Sequence, residues 1–475
     1  MTDAEATPVN KDTSPPGLFA SLREAIAGSQ QDYTNVRIER AIVMLAVPMV
    51  LEMIMESLFG VVDMFWVAHL GANAIATVAL TETALTLLFA IALGLSMSAT
   101  AMVSRRIGEK NPAAASVVAV QAIAVGVAVS CVTGVLGFVF AAELLRIMGA
   151  SDEVVRLGTN YTRTMLGGSM TVFLLFLINA VFRGAGDAAT AMRALWLANA
   201  VNICLNPFLI FGIGPFPLLG VTGSAVGTTI GRGVGVAYQL FRLTSGRSRI
   251  TVHWNQVRLD FGVMWRMVRL SLGGMFQYFV QMASWIGMIR IVATFGSAAV
   301  AANTLAIKII VFAILPSWGM SNAAATLVGQ NLGAGKPDRA EHAVWRTAFF
   351  NMWFMGTIGL IFITFAEPII RIFTSDPSIV PMGATCLRYL SYGNISYAYG
   401  MVLAQSFNGA GDTFTPTVMN LICFWVCQIP LAYALAFWTG LGATGPFVAV
   451  ALCDTLLAVL SIIWFRRGTW KKQVV

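Results

Sequence analysis

Charged side chains are scarce in this chain: Asp, Glu, Lys and Arg make up 11% of its 475 residues, and the mean hydropathy is +0.76. A soluble domain carries about 25%, so a soluble globular fold is excluded and a polytopic membrane protein is indicated. Histidine is nearly missing. His69, His253 and His342 are widely separated, which argues against an integral membrane enzyme built on clustered His and acids. The six cysteines at 131, 204, 386, 423, 427 and 453 match neither a zinc spacing nor a secreted disulfide framework. Cys423 and Cys427 share a helix face and read as core thiols. A phosphate-binding loop is lacking as well. Its nearest approach, GQNLGAGKP, is one residue short of G-x-x-x-x-G-K and carries Pro337 where Ser or Thr is needed. The first forty residues hold no continuous apolar run and read as a cytoplasmic tail, not a signal peptide. Within that tail, residues 18–28 suit a short interfacial helix.

What is present is apolar sequence in long runs. Spans are expected near 42–67, 74–102, 114–140, 158–182, 188–212, 221–243, 263–293, 298–325, 345–366, 384–407, 414–438 and 443–465. The net charge of +8 does not point to nucleic acid, because the basic residues alternate with topology. Arg105, Arg106 and Lys110 are expected in one short loop and Lys336, Arg339 and Arg346 in another, with further Arg in the central linker and Arg466, Arg467, Lys471 and Lys472 at the end. The intervening loops near 68–73, 213–220, 295–297 and 438–443 have no Lys or Arg. Positive residues are retained on the cytoplasmic side, so both termini are placed there, in a multi-pass inner-membrane protein.

The chain repeats itself. HLGANAIA around Gly71 is similar to TFGSAAVA around Gly296, VSRRIGEKNP from Val103 to VGQNLGAGKP from Val328, and FRGAGD from Phe182 to FNGAGD from Phe407, all at an offset of 225. Past the fifth span the offset drifts to 222, with VTG at 221–223 answered by ATG at 443–445. The fold expected is all-α: twelve transmembrane helices as two parallel six-helix repeats with a central cavity between them. A cytoplasmic tail (1–40) leads into an N-lobe (41–243), a linker (244–262), a C-lobe (263–465) and a second tail (466–475).

Acids inside the spans are the departure from this apolar pattern. Glu52, Glu56 and Asp63 fall at roughly 0°, 40° and 20° around one helix, a narrow stripe. Intramembrane carboxylates face a bundle interior or a wet cavity and mark ion or substrate paths. At the repeat offset Glu52 and Glu56 answer to Gln277 and Gln281, and Asp63 to Met288, so titratable chemistry is concentrated in the first half. Glu52, Glu56, Glu82, Gln277 and Gln281 are candidates for the substrate cavity, where acids would attract cationic compounds. A structural hydrogen bond to a neighbouring helix is the plainer reading of Glu52 and Glu56. Asn199, Asn202 and Asn206 share a face by their spacing, either as inter-helix hydrogen bonds or as cation ligands. Asp454 aligns with Arg232 at offset 222. The 23 Met and 30 Phe suit a repackable apolar cavity.

With PMVLEMIMESLFGVVDMFWVAHLG, VSRRIGEKNP, FRGAGD, NICLNPFLIF and their second-half counterparts, the chain resembles the multidrug and toxic compound extrusion (MATE) family from about residue 38 to 465. The resemblance implies a two-lobe efflux antiporter driven by H+ or Na+, exporting lipophilic, often cationic small molecules by alternating access. It maps the family's first-helix acid onto Asp63. The polar cluster of the DinF-like branch maps onto Asn202, Asn206, Thr228 and Tyr161. Asn206 stands where archaeal relatives of that branch carry a second Asp, and the C-lobe acids of the NorM-like branch are missing. Oxygen ligands from Asp63, Asn202 and Thr228 would suit Na+; Asp63 alone would serve as a proton carrier. No cofactor and no metal beyond the coupling ion is expected, and a monomer is expected in the bilayer. The neighbouring alternative is a flippase for lipid-linked precursors, which would call for cations in the cavity.

Overall fold

A computed structural model describes residues 18–28, 31–246, 248–253 and 257–475. Residues 1–17 and 29–30 of the expected N-terminal tail, and residues 247 and 254–256 of the expected linker, lie outside these. Every regular element among the described residues is helical. Twelve long helical segments follow one another: α1 (Ile38–Ala68), α2 (Ala72–Gly108), α3 (Pro112–Val139), α4 (Asp152–Gly167 continued by Ser169–Ala185), α5 (Ala188–Phe211), α6 (Val221–Thr244), α7 (Phe261–Ala293), α8 (Ser297–Gly333), α9 (Pro337–Thr364), α10 (Val380–Tyr392 continued by Asn394–Ala410), α11 (Phe414–Phe437) and α12 (Gly445–Arg466). Nine helical segments among the described residues are long and apolar enough to cross a membrane. The other three, α6, α7 and α10, carry internal arginines or a break and are placed by packing against α5, α2 and α8. The halves form two lobes. α1 packs on α8, α7 packs on α2, and α2 and α8 cross between them, so the seam has the two-fold form that a parallel repeat requires.

Glycines at the repeat offset make the crossings. A Cβ on Gly108 would lie 2.0 Å from the carbonyl oxygen of Gln330, and one on Gly333 2.2 Å from that of Arg105. Higher on the seam, Gly94 meets the backbone nitrogen of Met275 and Gly319 the carbonyl of Met49, both at 2.7 Å. Lipid tails are as apolar as side chains, so helices in a bilayer associate by van der Waals approach, and small residues permit it. The basic motifs expected as loops are therefore largely helical. Arg105 and Arg106 occupy the last turn of α2, Gln330 and Asn331 that of α8, and Arg339 and Arg346 lie on α9. Their ends pack too closely across the seam to unwind, and side chains complete the join: Gln330 Nε2 donates to Gly184 O (3.0 Å) and Arg105 Nη2 to Ala410 O (3.4 Å).

The GAGD motif is architectural in both lobes. Gly184 and Gly409 lie against the carbonyls of Thr100 and Ala325. Gly186 (φ 85°) and Gly411 (φ 91°) end their helices in the left-handed conformation open to glycine. Asp187 then caps α5 by accepting from Thr190 N at 3.2 Å, and Asp412 caps α11 by accepting from Thr415 N at 3.1 Å. α4 and α10 are likewise both broken at equivalent glycines, Gly168 and Gly393.

Both described ends of the chain lie against the closed end of the seam. A helix at Leu18–Ala27 receives Arg193 Nη2 at the carbonyls of Ile26 and Ala27, while Lys336 of the other lobe donates to Thr34 O (3.0 Å). At the far end Trp470 is fully buried and stacks on Phe465, and Gln473 O accepts from Arg105 at 2.6 Å. Gly108→Val or Gly333→Val is expected to cost about 1–3 kcal/mol by forcing the crossing apart. It should be read as a lowered unfolding temperature in detergent. Gly60→Ala, where a Cβ meets nothing within 4 Å, is the control; equal melting of the three would refute the seam assignment.

Candidate functional site

The acid stripe of α1 faces the interior of the N-lobe, but its members do not share one site. Residues 52 and 63 are separated by about 16 Å of helix, and each meets a different neighbour. Asp63 Oδ1 accepts from Asn206 Nδ2 on α5 (2.7 Å) and from Ser224 Oγ on α6 (2.8 Å). The ladder continues from Asn206 Nδ2 to Asn202 Oδ1 (3.1 Å) and from Asn202 Nδ2 to Thr228 Oγ1 (2.8 Å). Asn202 and Asn206 lie one turn apart on α5, and Ser224 and Thr228 one turn apart on α6. Gly227 opens the space that Asn206 Oδ1 fills, since a Cβ there would lie 2.2 Å from it.

Tyr161 on α4 is buried within electrostatic range of Asp63 and Glu82, with no hydrogen bond to the ladder. The same field holds Arg232 on α6, buried among Glu56, Asp63, Tyr161 and Glu82 without a close ion pair among the described residues. Ser224 is the partner of Asp63 absent from the expected residues; its place four residues before Thr228 does not by itself single it out.

Glu52 is not presented to a cavity. It is 2% exposed, and its Oε1 accepts from Arg183 Nη1 (3.0 Å) and Asn179 Nδ2 (2.9 Å), both on α4. Gln239 Nε2 completes the network at Asn179 Oδ1 (2.6 Å). Asn179 and Arg183 are also a turn apart, a signal available in the sequence but without a partner to attach it to. At equivalent positions of the C-lobe the ion pair becomes a pair of amides: Asn408 Nδ2 donates to Gln277 Oε1 at 3.3 Å. Gln277 is buried in that contact. Glu56 accepts from Asn199 Nδ2 at 3.3 Å, and its counterpart Gln281 hydrogen-bonds Tyr397. Glu82 is exposed on α2, within electrostatic range of Asp63, Arg232 and Lys308 of the other lobe. Between the lobes lies a cavity lined by Arg183, Tyr278, Trp318, Asn322, Gln405 and Asn408 among others, the Tyr278 and Trp318 rings meeting edge to face at 6.0 Å. It thus holds one cationic side chain, tied to Glu52, and aromatic and amide surface around it.

Asp63 offers one carboxylate, already engaged by hydrogen-bond donors. Two donors are already turned to Oδ1, and Asn202 Oδ1 accepts from Asn206. Among the described residues, Asn206 Oδ1 is buried without a partner and Asp63 Oδ2 accepts no hydrogen bond. A hard cation wants several oxygens and no neighbouring guanidinium.

The geometry is that of a two-lobe helical transporter, and comparison with known proteins names its family. The MatE family model matches residues 48–208 and 274–434, once in each lobe. The chain belongs to the MATE family, which comprises transporters and not enzymes. It is 25% identical over 441 residues to the "Probable multidrug resistance protein NorM" of Thermotoga maritima, covering 92% of this chain and 94% of that one. It is 25% identical over 412 residues to the "FAD transporter" of Shewanella oneidensis, covering 84% and 88%. A solved multidrug resistance MATE transporter in an outward-facing conformation superposes with a TM-score of 0.86 at 24% identity, over 97% of this chain and 100% of that one. The names of these relatives do not divide along the DinF-like and NorM-like branches.

The buried pair yields a direct test. Arg183→Asn leaves Glu52 buried without its counter-charge and is expected to destabilise by about 3–5 kcal/mol. Adding Glu52→Gln installs the pair that the C-lobe carries at Gln277 and Asn408, and should recover most of the loss in detergent unfolding. A double variant no more stable than the single one would refute the equivalence.

Proposed function

We propose that this protein is a proton-coupled efflux antiporter for lipophilic, often cationic compounds, with Asp63 as the coupling acid. The observation that carries the reading is the convergence of Asn206 and Ser224 on one oxygen of Asp63, inside the lobe and joined through Asn202 to Thr228. Ionised, Asp63 accepts two hydrogen bonds. Protonated at Oδ2, it becomes a donor as well, and Oδ1, now a neutral carbonyl oxygen, holds Asn206 and Ser224 more weakly. Because these side chains stand on α1, α5 and α6, loading a proton alters how the three helices pack. That is the bistable element alternating access requires. With both termini cytoplasmic, the closed end of the seam is the inner end and this state opens outward. The coupling then belongs to the N-lobe, as in the DinF-like pattern, since Gln277 and Gln281 replace acids in the C-lobe. Exposed Glu82 attracts cations to the vestibule, and the aromatic surface below it takes their apolar bodies. The names of curated relatives support export of drugs.

A second reading, export of planar aromatic anions, is favoured by Arg183 beside Tyr278 and Trp318 in the seam cavity and by the relative named as a FAD transporter. One assay separates these readings. Ethidium and FAD transport are measured in proteoliposomes with pH and Na+ gradients imposed separately, for wild type and Asp63→Asn. Ethidium movement driven by the pH gradient alone and lost in the variant is the expected result. A strict Na+ requirement would replace the proton by Na+ at Asp63, Asn202 and Thr228. Unchanged transport by the variant would sink the assignment of Asp63.

A further inference from the structure

We propose that Asp454 on α12 is a second proton-binding site, placed in the C-lobe and acting alongside the acid of the N-lobe. The proposal rests on the ion-coupled reading above. Asp454 is 8% exposed and makes no ion pair or hydrogen bond among the described residues. Its place in the fold is that of Arg232 in the other lobe. The break of α4 at Gly168 packs on Thr229 of α6, and the break of α10 at Gly393 packs on Ala451 of α12, 222 residues further on. A Cβ on Gly393 would lie 3.4 Å from Asp454 Oδ2. At this shared position the N-lobe sets a cation among Glu56, Asp63 and Glu82, whereas the C-lobe sets an acid with no counter-charge.

An unpartnered carboxylate removed from water costs several kcal/mol, and such a group takes up a proton or a cation instead. The surroundings choose between these. The titratable groups near Asp454 are the Tyr397 phenol on α10, the Cys423 thiol on α11, with Cys427 beside it, and the Cys453 thiol on α12. Thiols and a single phenol do not replace the oxygen shell of a hard monovalent cation, so the occupant is a proton. A path to it exists. Tyr397 and Gln281, both partly buried and hydrogen-bonded to each other, form a polar step from seam helix α7 to Asp454. The chemistry is reversible: one proton joins the carboxylate on one side of the cycle and leaves on the other, with no other bond changed.

The test uses the full chain in lipid, by infrared difference spectroscopy between acid and alkaline buffer. A protonated-carboxyl C=O band should be lost in Asp454→Asn, retained in Asp63→Asn, and shifted in Asp454→Glu. In proteoliposomes the pH dependence of ethidium transport should become shallower in Asp454→Asn and recover in Asp454→Glu. Asp454→Glu also serves if Asn at this position prevents folding. An unchanged band and pH profile in Asp454→Asn would overturn the proposal, as would displacement of the band by Na+. If Asp63→Asn transports normally while the Asp454 band stands, the coupling role of Asp63 has failed and the C-lobe site has not.

Discussion

The cost of leaving a charge without a partner in a low-dielectric interior governs this molecule. It explains why charged residues are few and why basic ones gather near one end of the bundle. It also explains why the three acids of α1 are each met by a particular group. Glu52 has Arg183 and Asn179, Glu56 has Asn199, and Asp63 has Asn206 and Ser224. Burying an ion pair is not in itself stabilising, because desolvation offsets the attraction. The C-lobe illustrates this by holding the same helix contact with two neutral amides, Gln277 and Asn408. The charge at Glu52 and Arg183 is therefore not required for that contact. Its presence on one side of the seam gives the two lobes different electrostatics around a shared architecture.

That architecture comes from close backbone approach. The glycines at 94, 108 and 184, with their counterparts at 319, 333 and 409, bring helices together where any side chain would strike a carbonyl or an amide nitrogen. The strings that recur at offset 225 are thus mostly statements about packing and capping. The positions where the halves disagree include the buried charges: Glu52 against Gln277, Asp63 against Met288, and Arg232 against Asp454. The repeat marks the shared scaffold, and the departures from it mark where the lobes differ in charge.

Part of the site was legible before any coordinates. The spacing of Glu52, Glu56 and Asp63 defines one face of a helix, and that of Asn199, Asn202 and Asn206 another. Angles about a helix axis do not say which helix lies opposite, and they ignore the rise along it. The stripe could therefore be taken for cavity lining when it points into the N-lobe at three heights. Ser224 was hidden for a related reason. A serine in a Gly-rich helix has no distinguishing pattern until the acid it serves is brought beside it.

The linear chain by itself determined the membrane environment, the apolar runs and the duplication, because hydropathy and an internal repeat are properties of a string. It also marked the acids, since a charge within an apolar run is conspicuous without any partner. Only the tertiary structure decided that the basic motifs continue as helix, because the contacts that hold them there, Gly108 on Gln330 and Gly333 on Arg105, join opposite halves of the chain. Only it decided that Arg183 answers Glu52 and that Asp454 stands alone. Whether a buried charge is paired depends on distances of a few ångströms between helices far apart in sequence, and no local pattern encodes them.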